Sequence, residues 1–249
     1  MVSPLITNNL ITTNSKPIKP EAVNQTASGF FIIAALEIPV ITYSKEEEYA
    51  NTISHTVGFV AGFIAVVFLS IKVWSQLSLA GNIGLWIYGV SLLCTMGTSS
   101  LYHVTVQRRL KLFYKKLDHI SIYLLISGSY TVLILNRLDS TTGYLFLAAL
   151  WGMSLVGIWF KARYVMRFKV LSTIMYVVMA YIFIIDPNVF YNALKPETIT
   201  VLKACGAVYT IGTVFYLWKS KKWTHFIWHI LVLIGAGLHF YAVYLELLS

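Results

Sequence analysis

The chain contains seven apolar runs that are each long enough to cross a bilayer. A transmembrane helix needs about 20 mostly apolar residues. Backbone groups in lipid must be hydrogen-bonded within their own segment, and these runs are too long and too continuously apolar for barrel strands. The sequence therefore predicts an all-α integral membrane protein, a seven-transmembrane-helix bundle with spans at about 53–73, 80–102, 118–136, 142–160, 170–187, 198–218 and 226–247.

Composition excludes a soluble domain and a second folded unit. The chain is 57% hydrophobic and only 12% charged, with a mean hydropathy of +0.71. Seven spans use most of the 249 residues. The N-terminal tail is assigned to residues 1–45. Residues 1 to about 29 are rich in Asn, Thr, Ser and Pro and are predicted to be disordered, and Phe30–Ile41 is predicted to lie at the membrane interface. Residues 46–249 form the predicted membrane domain.

Basic residues are concentrated in alternate loops of the predicted bundle. Twelve of the 19 lie in three loops, and the alternate loops hold only four. Because positively charged loops stay cytoplasmic, the N-terminus is predicted to be inside and the C-terminus outside. The basic residues behind the net charge of +9 then set the topology and contact anionic membrane lipids. Nucleic-acid binding is not expected. The twelve are Arg108, Arg109, Lys111, Lys115, Lys116, Lys161, Arg163, Arg167, Lys169, Lys219, Lys221 and Lys222; the four are Lys72, Arg137, Lys195 and Lys203.

Five polar side chains gather at the cytoplasmic ends of three predicted spans. His103 ends the second span, four residues after Ser99. His225 and His229 begin the seventh span at the same spacing, which places each pair on one helix face. Asp118 opens the third span. Ionisable groups in a membrane are costly and mark functional sites.

This set of residues predicts a zinc site. Three imidazoles and a carboxylate at one depth fit a tetrahedral zinc ion with one position left open. Soft metals would want a thiolate, and magnesium or calcium would want more oxygen ligands.

Four other polar features have plainer interpretations. His239 lies about 15 Å further along the last helix than His229 and is interpreted as a packed polar residue. His119 is explained by a position near the membrane interface. His55 lies on the same side as the zinc site, where support of a ligand is one interpretation. The acidic run 46–48 is interpreted as a solvated helix start that the helix dipole favours.

Four motifs carry a resemblance to a known family. The chain resembles the hemolysin III proteins, bacterial relatives of the progestin and adiponectin receptor family. That resemblance implies an N-in bundle of seven helices in the bacterial inner (plasma) membrane. It also implies zinc on His103, His225 and His229, with Ser99 and Asp118 close to the ion. The motifs are EEYANTISHTVG from Glu47 to Gly58, SSLYH from Ser99 to His103, DHISIYLLISGSYT from Asp118 to Thr131 and HFIWHILVLIGAGLHF from His225 to Phe240.

Three functions are compatible with such a site. The first is a zinc-dependent hydrolase of a lipid amide or ester, in which Asp118 orients water or takes its proton and Ser99 hydrogen-bonds the water or an oxyanion. By analogy with ceramide hydrolases of the resembled superfamily, an amide is plausible. The second is a non-enzymatic lipid-sensing receptor with a structural zinc, for which Asp118 would be the fourth ligand. The third is a channel or cytolysin, which ranks last because no polar face runs through the full depth of the spans.

Overall fold

The computed structural model describes residues 43–164, 169–218 and 221–248, and these form helices joined by short turns, with no strand among them. The predicted tail up to residue 42 and its interfacial segment lie outside the described residues. In chain order the helices are α1 Lys45–Val73, α2 Leu79–Val104, α3 Arg108–Arg137, α4 Thr141–Tyr164, α5 Lys169–Ala180, a 3₁₀ helix Ile182–Ile185, α6 Pro187–Ala193, α7 Pro196–Leu217 and α8 Thr224–Leu247.

Six helices in the described part of the chain are long and apolar enough to cross a membrane: α1, α2, α3, α4, α7 and α8. Their apolar side chains also point outward, as in Phe63, Ile64 and Leu155, which are more than half exposed. Outward apolar faces are expected where lipid replaces water as the solvent. These findings confirm an all-helical protein with several membrane-spanning helices.

The fifth predicted span, 170–187, is not one continuous helix. Its α-helix ends at Ala180, whose carbonyl accepts a hydrogen bond from the Tyr130 hydroxyl at 2.7 Å. A 3₁₀ turn follows, and Pro187 then begins α6 because a proline disfavours the α conformation in the residue before it. The seventh crossing and the orientation of the termini therefore stay predictions.

Glycines allow α2 and α3 to pack closely. A Cβ at Gly84 would lie 3.2 Å from the backbone oxygen of Thr131, and a Cβ at Gly128 would lie 2.4 Å from the Ser91 hydroxyl. Small residues at such crossings permit the close backbone approach on which helix packing in membranes depends. This close packing brings Ser99 on α2 and Asp118 on α3 into the wall of one cavity.

An ion pair links helices at the opposite end of the bundle. Glu246 on α8 is 1% exposed, and its Oε1 accepts a hydrogen bond from Arg137 Nε at 2.8 Å. Its Oε2 accepts another from the backbone N–H of Lys195 at 3.2 Å. The carboxylate thus joins the end of α3 and the start of α7 to the end of α8.

Candidate metal centre

Three histidine side chains meet at one end of the bundle. His103 lies in the last turn of α2, and His225 and His229 lie in the first two turns of α8. Nε2 of His225 lies 3.3 Å from Nε2 of His103 and 3.1 Å from Nε2 of His229. One ligand atom from each residue lies within 4.8 Å of the other two.

These separations suit a tetrahedral metal ion. Two imidazole nitrogens that bind one zinc at about 2.0–2.1 Å lie about 3.3 Å apart. His103, His225 and His229 all offer imidazole nitrogens, a set of ligands that suits zinc and other imidazole-binding transition metals. The cluster can therefore hold a metal ion through three protein ligands.

An ion pair orients the His103 ring. Nδ1 of His103 lies 2.7 Å from Oε2 of Glu48, and the other oxygen of Glu48 lies 2.9 Å from Nζ of Lys111. The same ammonium group donates to the backbone carbonyls of Tyr102, His103 and Thr105 at the end of α2. When Nδ1 carries the proton, Nε2 is left as the lone-pair nitrogen that faces the other histidines.

Residues 46–48 lie in the first turn of a helix, as predicted, but only one of the three is fully solvated. Glu46 is exposed, but Glu47 is buried and Glu48 is only partly exposed. The physical reason is that α1 begins at Lys45, eight residues before the predicted span, so its first turn packs against α2 and α8. Glu48 and His55 are seven residues apart and therefore lie on one face of α1. This spacing was the signal in the sequence that could have placed Glu48 near the histidine cluster.

We expect Glu48→Gln to weaken zinc binding about 10- to 100-fold, as is typical when a carboxylate that supports a histidine ligand is removed. The amide can still accept a hydrogen bond, but it lacks the charge that strengthens His103 as a ligand. Competition with a zinc-chelating dye on purified protein measures the change. Glu46→Gln is the matched control, since Glu46 is exposed on the same turn. Equal zinc affinity in Glu48→Gln and Glu46→Gln would contradict the proposal that Glu48 supports His103.

Glu47 connects the start of α1 to the start of α8. Its carboxylate completes a capping box with Ser44 and also accepts the backbone N–H of Trp223 at 2.7 Å. Trp223 adopts a left-handed backbone with φ of 69°, which is costly for a bulky residue. The bond from Glu47 helps to hold this conformation, and it positions His225 two residues later.

Ser99 and Asp118 line a small cavity together with two histidines of the cluster. The cavity has a volume of about 100 Å³ and includes His225 and His229 in its wall. The Ser99 side chain lies within hydrogen-bonding reach of the Asp118 carboxylate. Among the described residues, the group whose ligand atoms lie within 4.8 Å of one another contains the three histidines and not Asp118. The Asp118 carboxylate therefore lies outside the group of three histidine nitrogens but lines the same cavity as His225 and His229.

The wall of this cavity is also cationic. Lys115, Lys161 and Lys169 line it, and Lys161 is 1% exposed. His119, beside Asp118, interacts through Nε2 with the Tyr216 hydroxyl at 3.1 Å and through Nδ1 with the Lys115 carbonyl. His119 is thus a buried residue of the bundle, where the sequence suggested only an interfacial position.

Two aromatic contacts cover the histidines. Tyr43 stacks on His225 with ring centroids 4.6 Å apart, and His55 lies against His229 at 4.0 Å. Burial, followed by the charges of Glu48 and other carboxylates, raises the pKa of the Tyr43 phenol above its ordinary value, so the ring is neutral at physiological pH. The sequence indicated His55 but not Tyr43, which precedes the first helix and carries no motif.

A larger, mainly apolar cavity of about 300 Å³ adjoins the polar one. The two share Thr95, Ile122, Tyr216, Trp228 and Val232 in their walls. The larger cavity extends between α3, α5, α7 and α8 to the level of His239. The smaller, polar cavity therefore continues into the larger cavity, whose mainly apolar walls suit a hydrocarbon chain.

Comparison with known proteins gives a consistent result. A family model described as haemolysin-III related matches residues 43–240. The Hemolysin-3 homolog of Bacillus subtilis (strain 168) is 36% identical over 201 residues, which cover 81% of this chain and 94% of that protein. Hemolysin-3 of Bacillus cereus is 32% identical over 203 residues, covering 82% and 93%. The human monocyte to macrophage differentiation factor is 25% identical over 211 residues, covering 80% and 83%. No solved structure matches.

Proposed function

This chain belongs to the haemolysin-III related family, as a multi-pass protein of the bacterial plasma membrane, and on that premise we propose that it is a zinc-dependent hydrolase of a lipid amide or ester. The observation that carries the proposal is the convergence of three histidine nitrogens beside a carboxylate, at the mouth of an apolar cavity.

The proposed zinc ligands are His103, His225 and His229. Three protein ligands with a fourth position open are typical of catalytic zinc sites, whereas structural sites have four. When bound, zinc would supply Lewis-acid chemistry, which polarises a carbonyl and makes a water acidic enough to serve as a nucleophile near neutral pH.

Asp118 is the proposed general base. It lies outside the histidine cluster and faces the same cavity, so its carboxylate can accept a proton from water and return it to the leaving group. Ser99, within hydrogen-bonding reach, would orient this carboxylate. Tyr43 covers His225 and limits the access of bulk water to the cluster.

The larger cavity is the proposed seat of the lipid chain. Its walls are mostly aliphatic and aromatic, and it joins the polar cavity at Trp228 and Tyr216. A lipid in this space would place its polar linkage beside Asp118 and its hydrocarbon between the helices. Membrane lipids are therefore both the solvent and the proposed substrate pool.

The proposed topology has seven crossings with the N-terminus inside. The twelve residues of α5 and the four of the 3₁₀ helix would together span about 26 Å, close to the hydrocarbon thickness of a bilayer. The histidine cluster would then lie near the cytoplasmic face, on the side of the basic loops.

A second candidate is a lipid-sensing receptor in which zinc has a structural role. The link between α2 and α8 through the histidines favours it, since an ion there would join two helices distant in sequence. A structural site would need a fourth protein ligand, and Asp118 would have to move toward the histidines. A pore, which the names of the Bacillus relatives suggest, gains no support from the mainly apolar large cavity.

The proposed function is tested first by measuring the zinc content of the purified protein and then by measuring hydrolysis of a lipid substrate. We expect about one zinc per chain in detergent-purified protein, and none when His103, His225 and His229 are all changed to alanine. Elemental analysis of protein prepared without chelators and with zinc supplied measures this. His239→Ala is the control and should keep its zinc, because His239 is a buried histidine of α8 that lies outside the cluster.

Hydrolysis is then measured with fluorogenic palmitoyl amide and palmitoyl ester coumarins. Cleavage by the wild type and none by the triple variant would support the enzyme. Zinc without cleavage would favour the receptor, and no zinc in either protein would refute both.

A further inference from the structure

A second group of buried polar side chains lies deeper in the bundle, away from the histidine cluster. His239 on α8 lines the larger cavity, and its ring lies 5.1 Å from that of Tyr88 on α2. Both residues are at least nine-tenths buried. Within the part of the chain that the structure describes, neither Nδ1 of His239 nor the Tyr88 hydroxyl has a hydrogen-bond partner.

Unpaired polar groups at this depth call for an explanation. Burial of a polar group without a partner is costly, and most buried side-chain polar atoms have one. The neighbouring Cys205, by contrast, is satisfied by donating to the Gly235 carbonyl at 3.2 Å. The imidazole of His239 is therefore a hydrogen-bonding group in the wall of a mainly apolar cavity, where it can donate or accept according to its tautomer.

The position of His239 sets a distance along any bound lipid. It follows His229 by ten residues in one continuous helix, a separation of about 15 Å along the axis. If the polar end of an extended acyl chain lies at the histidine cluster, roughly the twelfth carbon of that chain lies at the level of His239.

We propose that His239 recognises a hydroxyl or keto group carried in the middle of the lipid chain, so that the cavity selects oxygenated over fully saturated acyl chains. This inference rests on the proposed function, which places an acyl chain in the larger cavity with its polar end at the histidine cluster. A hydroxyl at that level pairs with the imidazole, whereas a plain methylene chain leaves it unpaired in a water-poor space.

The test compares two fatty acids in two proteins. Stearate and 12-hydroxystearate displace a fluorescent fatty acid from zinc-loaded protein in one detergent, with wild type beside His239→Leu. The preference for the hydroxylated chain is expected to be about fivefold larger in the wild type than in the variant. The comparison of ratios cancels the different partitioning of the two acids into detergent. His239→Gln, which keeps hydrogen-bonding atoms, is expected to retain part of the preference.

A positional control needs no variant. 3-Hydroxystearate carries its hydroxyl near the carboxylate and is expected to bind the wild type more weakly than 12-hydroxystearate. Equal binding of these isomers, or the same preference in wild type and His239→Leu, would overturn the role of His239 while leaving the acyl chain in the cavity. Failure of all three acids to bind the wild type would overturn this inference together with the lipid-chain assignment.

Discussion

Asp118→Asn is expected to leave about one zinc per chain while lowering lipid hydrolysis about 10²- to 10⁴-fold, the usual contribution of a general base. The amide keeps the size of the carboxylate and can still accept the hydrogen bond from Ser99. It cannot take a proton from water. Because Asp118 is not a member of the histidine cluster, zinc content should not depend on its charge.

The measurement pairs elemental analysis with single-turnover cleavage of the palmitoyl coumarin amide and ester. Ser99→Ala is the matched comparison. It removes the hydroxyl beside Asp118 but keeps the Asp118 carboxylate, so it should lower activity less than Asp118→Asn does. Loss of zinc in Asp118→Asn would instead make Asp118 a ligand and favour the receptor. Full activity with full zinc would show that another group handles the proton.

Glu246→Leu is expected to lower the free energy of unfolding by about 3 kcal/mol, toward the lower end for breaking a buried ion pair, because the Arg137 side chain is a third exposed. The change leaves the guanidinium and the backbone N–H of Lys195 without their carboxylate partner. Denaturation in detergent micelles, followed by circular dichroism, measures the loss.

The double variant Glu246→Leu with Arg137→Met is the control for this prediction. Removing both charges takes away the unpaired guanidinium, so the double variant should be more stable than Glu246→Leu alone. Zinc content should be unchanged in both, because the pair lies at the opposite end of α8 from His225. A single variant as stable as the wild type would show that the carboxylate contributes nothing to the packing of this end.

Much of the fold could be predicted because lipid imposes a simple rule on the sequence. Long apolar runs give the six long helices, and depth alone brings His103, His225 and His229 to one level. The shortened α5 was harder, since its end depends on the Tyr130 hydroxyl, which comes from another helix. Hydropathy averages contain no information on such a tertiary contact.

The partners of the ligands were the main part of the site that the sequence did not indicate. Glu48 lies in a charged stretch that could equally face water, and only the earlier start of α1 brings it to His103. Tyr43 lies before the helix, where no periodicity applies. Residues that support a site through contacts between helices need the packing of those helices to be known.

The separation of the histidines along the chain has a consequence for biogenesis. His103 and His225 lie 122 residues apart, and His225 and His229 are both on α8. During synthesis the chain emerges from its N-terminus, so α2 enters the membrane long before α8 exists. The three-histidine cluster cannot be assembled until α8 has left the ribosome and inserted. Loading of the proposed metal would therefore have to follow the insertion of α8, and a chain interrupted before α8 would lack two of the three histidines.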